Sequence, residues 1–300
     1  MNRVAQHPVK AFAAALAAVA VLSVMDAVMK ALVLAIGIFA VSIWRSAANL
    51  ILTGALYLPR GLPWPTRAVL KIHVGRGVIV TIMAGLFFWG IGRVPLAQAI
   101  ALTFIAPLIA LLLAAGLLGE RIGQRSIGGS LMAFGGVLII VLGQARADLG
   151  TDALLGSAAI IGSALCYAVN IVLMRHQSLS AKPLEINFFQ SLTVLVLWLA
   201  LVPFVGLPDW PGTSWTWVAV ASIMSTAGGL LLSWAYARAE ASYLAVTEYS
   251  GFLWAAACGW LFFNEAVSLY TAVGAGLIVG GCIVAARGRV EAPGEVEVIT

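Results

Sequence analysis

Apolar residues run along this chain in long unbroken stretches separated by short polar knots. Ala99 to Leu118 shows no alternation of apolar and polar positions, and the other runs behave alike. Membrane strands would alternate, so the pattern predicts helices and not a β-barrel. A span needs about 20 mostly apolar residues. Ten are predicted on that measure, at 11–34, 37–57, 72–92, 95–118, 124–144, 153–175, 184–205, 214–237, 241–263 and 267–287. The first run follows Arg3 and Lys10, as a signal peptide would, but it exceeds the usual apolar region of about 7–15 residues. It is read as a retained first span.

Breakers and interface residues fall between the runs. Pro59, Pro63 and Pro65 follow the second span, and Pro203, Pro208 and Pro211 follow the seventh. Trp64, Trp210, Trp215 and Trp217 sit at boundaries, where indoles favour the headgroup region. The acidic stretch Glu291 to Thr300 reads as a short disordered tail.

Composition narrows the class. Of 300 residues, 62% are hydrophobic and 10% charged, with a mean hydropathy of +1.03. A water-facing surface needs far more charge, so a soluble enzyme, a disordered chain and a disulfide scaffold are excluded. The net charge of +5 does not point to nucleic acid, because the 17 basic residues are sparse and gather between the runs. With the N-terminus inside, Arg3, Lys10, Arg60, Arg67, Lys71, Arg76, Arg121, Arg125, Arg175, Lys182, Arg238, Arg287 and Arg289 are cytoplasmic. Only Arg93 and Arg146 face the other side, which places both termini in the cytoplasm of a cell with this protein in its inner (plasma) membrane. Cys166, Cys258 and Cys282 lie inside apolar runs and read as small buried hydrophobes.

The sequence repeats itself at an offset of 145. Trp89 and Arg93 fall on Trp234 and Arg238, Glu120 on Glu265, and Thr81 on Thr226. Met29-Lys30 falls on Met174-Arg175, and Gly129, Gly135 and Gly136 on Gly274, Gly280 and Gly281. Rare residues matching at one offset identify a duplication. The halves are 1–148 and 149–290, with a cytoplasmic tail at 291–300. Each half holds five spans. An odd number makes the second half enter the bilayer from the opposite side, so the repeats are inverted, an architecture suited to alternating access.

Here the chain resembles a known family. Pro107 in the fourth span, Glu120 at its end, and Gly128, Gly129, Gly135 and Gly136 in the fifth resemble the EamA-type branch of the drug/metabolite transporter superfamily. The second copy keeps Glu265, Gly274, Gly280 and Gly281 but carries Phe252 where Pro107 stands. The resemblance implies an all-α integral membrane protein of ten transmembrane helices in two inverted five-helix repeats. It also implies export of amino acids, other metabolites or drugs.

Ionisable residues inside a bilayer cost roughly 2.5–3.5 kcal/mol each on insertion scales, so each needs a partner or a cavity. Asp26 and Lys30 are four apart on one face of the first span, and Arg45 lies in the second. They read either as a mutually neutralised structural cluster or as a gate or proton-coupling site. Glu248 in the ninth span reads either as the partner of Arg238 or of a loop base, or as a cavity acid for an amine or a proton, and it joins Asp26, Lys30 and Arg45 as a coupling candidate. Glu120 and Glu265 read as caps for the helices they precede. Ser163, Tyr167, Asn170 and Met174 form a polar stripe on the sixth span, for helix packing or for a pathway. Gln98, Thr103, Tyr249, Trp89 and Trp234 could complete a substrate-binding cavity with Tyr167, Asn170, Glu248. The glycines of the fifth and tenth spans read as close helix contacts within the chain or between two copies.

No P-loop and no HExxH occur, and no cofactor, metal ligand set or catalytic residue is expected. Asp26 and Glu248 are expected at different depths, which speaks against an intramembrane enzyme. The expected function is a secondary exporter of small metabolites, foremost apolar or aromatic amino acids. Glu248 or Asp26 would hold the amine, with helix dipoles or Arg45 on the carboxylate. The alternatives are a multidrug or cation carrier, a nucleotide-sugar carrier, and an intramembrane enzyme. The expected partners are the substrate, the lipid bilayer and, at most, a second copy in a weak homodimer.

Overall fold

The computed structural model describes residues 8–61, 64–106, 109, 124–146, 150–238, 244, 247–248 and 250–287. Pro107, Glu120, Tyr249 and the 291–300 tail lie outside them. The architecture is all-α and membrane-spanning, in two inverted five-helix repeats, and no strand occurs among the described residues.

Helix α1, Pro8–Tyr57, belongs to an apolar stretch of 52 residues, Val9–Arg60. At 1.5 Å per residue it would measure about 78 Å, over twice the thickness of a bilayer core. The chain breaks at Gly37, whose φ of 75° and ψ of 159° leave the helical region. A residue with a Cβ would be strained there, and glycine is not. The two arms, 8–36 and 38–57, are the first two spans. Asp26 and Arg45 line one cavity, so the arms fold back on each other.

Helix α2 is Arg67–Ile91, capped by Thr66, whose hydroxyl accepts from the Val69 N–H at 3.4 Å. It begins five residues before the expected third span. Helix α3, Leu96–Thr103, is the described part of the fourth span. Helix α4 is Gln124–Arg146, and α5, Gly150–Ser180, outruns the expected sixth span at both ends. Helix α6 is Pro183–Leu199, opened by a proline whose missing N–H costs nothing in the first turn. Helix α7 is Trp215–Tyr236, α8 Gly251–Phe263 and α9 Leu269–Arg287. Asn264 ends α8 in the left-handed region at φ 54°, which lets the following Glu265 N–H donate to the Gly259 carbonyl at 3.0 Å.

The arms of α1 pack on α6, α7 and α8, while α2 packs on α5. Helices α4 and α9 form a separate pair crossing at glycines. A Cβ on Gly136 would sit 2.5 Å from the Gly274 carbonyl oxygen, and one on Gly274 would sit 2.7 Å from that of Gly136. Gly281 meets the Gly129 carbonyl in the same way. The offset of 145 maps Gly129 onto Gly274 and Gly136 onto Gly281, so the two contacts are symmetry copies. These glycines are therefore occupied within the chain.

Candidate functional site

Where the two halves meet, a cavity of about 330 Å³ opens between both arms of α1, α2, α3, α5, α6, α7 and the start of α8. Many of its lining residues come in repeat-related pairs. Leu22 and Tyr167, Met25 and Asn170, Arg45 and Gln190, Ser46 and Ser191, Phe88 and Ser233, and Thr103 and Glu248 are each 145 apart, and all line it. The cavity thus lies on the relation between the halves, while its charges break that relation. The counterparts of Asp26, Arg45, Arg76 and Glu248 are Ile171, Gln190, Ala221 and Thr103.

Glu248 reaches the cavity just before α8. Its Oε1 accepts from the hydroxyl of Tyr167 on α5 at 3.1 Å and of Tyr236 on α7 at 2.9 Å. No cation pairs with it among the described residues. Arg238, its expected structural partner, is engaged elsewhere.

Arg45 donates from Nη1 to Ser225 Oγ at 3.3 Å, and its guanidinium lies 5.2 Å from the centre of the Phe88 ring. Among the described residues its buried Nε has no hydrogen-bond partner, nor have Asn49 Oδ1 and Thr226 Oγ1, which also line the cavity. Asp26 faces Arg45 electrostatically without closing an ion pair. Unfilled polar atoms around a cavity suit a ligand that supplies the missing partners.

Arg76 is the second cavity cation. It donates from Nε to Asn170 Oδ1 at 2.8 Å and from Nη1 to Gln177 Oε1 at 2.6 Å. Behind it, Gln177 Nε2 meets His73 Nδ1, and His73 Nε2 lies 3.1 Å from Glu185 Oε1.

The sequence-predicted residues therefore divide. Asp26, Arg45, Thr103, Tyr167, Asn170 and Glu248 converge on the cavity. Tyr249 lies outside the described residues. Lys30 leaves its expected cluster, because it pairs with Glu265 and donates to the Val94 carbonyl at 2.7 Å. Gln98 is buried away from the cavity, 3.5 Å from Ser157 Oγ. Trp89 and Trp234 also stand apart. Arg93 lies 3.6 Å from the Trp89 ring centre and Arg238 4.1 Å from that of Trp234. Each arginine also donates to the carbonyl of its own tryptophan, one helical turn back. Cation–π stacking and that bond consume the indole faces as helix-end fittings. Asp26 and Glu248, expected at different depths, share one cavity.

Sequence reasoning missed Arg76, Tyr236, His73 and Gln177. A third span starting at residue 72 leaves Arg76 only four residues from its cytoplasmic end, where it reads as one more cytoplasmic base. The signal was Thr66, a helix cap that starts α2 earlier and puts Arg76 nearly three turns inside. Tyr236 carried no signal, being an aromatic in an apolar helix.

The arrangement offers two acids, two guanidiniums, several hydroxyls and amides, and apolar walls. It fits a small molecule carrying both signs of charge. No three His, Cys, Asp or Glu side chains converge as a metal site among the described residues.

Comparison with known proteins supports the same class. The model of the EamA-like transporter family matches residues 9–142 and, a second time, 154–287. The pseudopaline exporter of Pseudomonas aeruginosa is 28% identical over 274 residues, covering 88% of this chain and 92% of its own. The riboflavin transporter of Rhizobium johnstonii is 28% identical over 70% of this chain and 68% of its own. A protein of Streptantibioticus cattleyicolor named as a probable terminal-alkyne amino-acid exporter is 30% identical over 53% of this chain and 52% of its own. A crystal structure matches 95% of this chain and 99% of its own with a TM-score of 0.64 and 22% identity, a likeness of fold.

Proposed function

Because the chain belongs to the EamA-like transporter family, we propose that it exports small metabolites, foremost amino acids with apolar or aromatic side chains, by alternating access. The observation that carries this reading is the mixed-charge cavity built from repeat-related positions of both halves. A site on the relation between inverted repeats can face either side when one half rocks against the other. The halves of this reading are 1–148 and 149–290, and its support is the double family match at 9–142 and 154–287. Glu248, poised by two tyrosine hydroxyls, receives the substrate amine, and Asp26 and Glu248 are the groups able to carry a coupling proton. Thr103, Tyr167 and Asn170 orient the cargo.

The orientation follows the basic residues, with both termini in the cytoplasm of a bacterial inner membrane. Arg76 leaves that count, because it is buried in the cavity, and the asymmetry survives without it. The chain works as a monomer or a weak homodimer.

A nucleotide-sugar or other anionic cargo is the second reading, favoured by two arginines in the cavity where the sequence offered one. Counterflow in liposomes separates the two. Purified protein should exchange labelled leucine, phenylalanine or tryptophan and ignore nucleotide sugars. Exchange of nucleotide sugars alone would replace the amino-acid reading. Chemical conversion of the labelled compound without exchange would replace transport itself.

A further inference from the structure

Among the described residues, Arg76 is a buried cation with only neutral partners. It is 6% exposed and lines the cavity, and its two described hydrogen bonds go to the amides of Asn170 and Gln177. Among the described residues the Lys30 ammonium holds Glu265 and the His73 ring holds Glu185, and no carboxylate pairs with Arg76. A guanidinium taken from water without a counter-ion is costly, and folding alone gives no reason to keep one. An anion brought by the cargo would supply the missing charge.

The contacts behind Arg76 fix their own proton positions. A guanidinium can only donate, so the Gln177 carbonyl oxygen must face it. The Gln177 NH2 then points at His73 Nδ1, which must be the lone-pair nitrogen. The proton of neutral His73 therefore sits on Nε2 and is donated to Glu185. His73 is clamped in this pose by stacking on Phe189, with ring centres 5.0 Å apart and planes 13° apart. Glu185 thus anchors a directional relay, through His73 and Gln177, that ends on the guanidinium. The acid is kept two side chains away, where it orients Arg76 without neutralising it by contact.

We propose that Arg76 is the cavity's anion-binding group, by which the protein selects cargo bearing a carboxylate, and that Gln177, His73 and Glu185 are positioning residues keeping it aimed and free of a counter-ion. This assignment rests on the amino-acid reading above and deepens it. Tyr167 and Asn170, three apart on one face of α5, hold Glu248 and Arg76 respectively. The acid and the cation are thereby presented side by side to the amine and carboxylate of one zwitterion.

The test measures selectivity in full-length protein purified in detergent. Ligand-dependent melting shifts are titrated with leucine, phenylalanine and tryptophan, each beside its carboxamide, which keeps the amine and removes the anion. The wild type should bind at least one amino acid about 10- to 100-fold more tightly than its amide, the range of a charged hydrogen-bonded contact. In Arg76→Gln that ratio should fall to near one. Gln177→Glu keeps the shape and gives Arg76 a counter-ion in place. It recruits a protonated His73 between two carboxylates, so the variant should fold, yet its ratio should also collapse. A purely structural Arg76 would leave the ratio of Gln177→Glu untouched, and that result overturns the assignment. Equal binding of acid and amide by the wild type overturns it as well, while sparing the amino-acid reading. Binding of neither by the wild type overturns both.

Discussion

Lys30, on the first arm of α1, is ion-paired with Glu265, which follows α8. The pair also gathers backbone. Lys30 donates to the Val94 carbonyl, and the second Glu265 oxygen accepts the Leu96 N–H at 2.8 Å. One ion pair therefore ties α1, the start of α3 and the end of α8. Lys30→Met should destabilise the protein by about 3 kcal/mol, because it strands a part-buried carboxylate. Lys30→Met combined with Glu265→Met should recover most of that loss. Thermal melting checks both, and a double variant no better than the single would refute the pair as the cause.

The crossing of α4 and α9 predicts a sharp contrast between glycines. Gly136→Leu must drive its side chain into the Gly274 carbonyl and the Ile278 side chain, and should cost about 1–3 kcal/mol. Gly276 has open space where a Cβ would go, so Gly276→Ala should leave the melting temperature unchanged or slightly raised. Equal effects at the two sites would contradict the crossing.

Tyr236 and Trp234 are two residues apart on α7 and should behave oppositely. Tyr236→Phe removes a donor to Glu248, a bond worth about 1.5–3 kcal/mol to the fold for a charged acceptor, and should weaken substrate binding by at most roughly 150-fold. Trp234→Phe should leave transport intact, since Trp234 stacks on Arg238 outside the cavity. Counterflow per folded molecule gives the answer, and a transport defect confined to Trp234→Phe would put the cavity in the wrong place.

Asn170→Leu should lower both stability and transport. The variant leaves Arg76 Nε without its acceptor, costing about 1–3 kcal/mol or more, and it loosens the cavity cation. Asn170→Asp keeps an acceptor and should retain the stability while losing transport, because it neutralises Arg76. Melting temperature and flux, read together, distinguish the two variants.

Orientation is checked by cysteine labelling in intact cells. Ala35→Cys and Thr213→Cys should react with an impermeant maleimide from outside, whereas Arg60→Cys and Lys182→Cys should react only after permeabilisation. The reverse pattern would place the termini outside.

The sequence by itself determined the class and the plan. Runs of about 20 apolar residues can hide their backbone in lipid only as helices, so hydropathy alone specifies an all-α membrane protein. Matches of Trp, Arg, Glu and Gly at one offset revealed the duplication, and five spans per half made it inverted. Asp26, Arg45, Tyr167, Asn170 and Glu248 were legible as candidates because polar groups in an apolar run are costly wherever they stand. Partners were not legible. Helical spacing placed Lys30 beside Asp26, yet a side chain pairs with whatever the neighbouring helices bring, and packing brought Glu265. Arg76 looked like a loop charge because one-dimensional hydropathy cannot separate a residue at a membrane edge from one turned into a cavity. Tyr236 resembled any aromatic of an apolar helix until tertiary packing aimed its hydroxyl at Glu248. Periodicity is a property of one helix and is written in order along the chain. A binding site is a property of several helices at once, and only their packing decides which side chains meet.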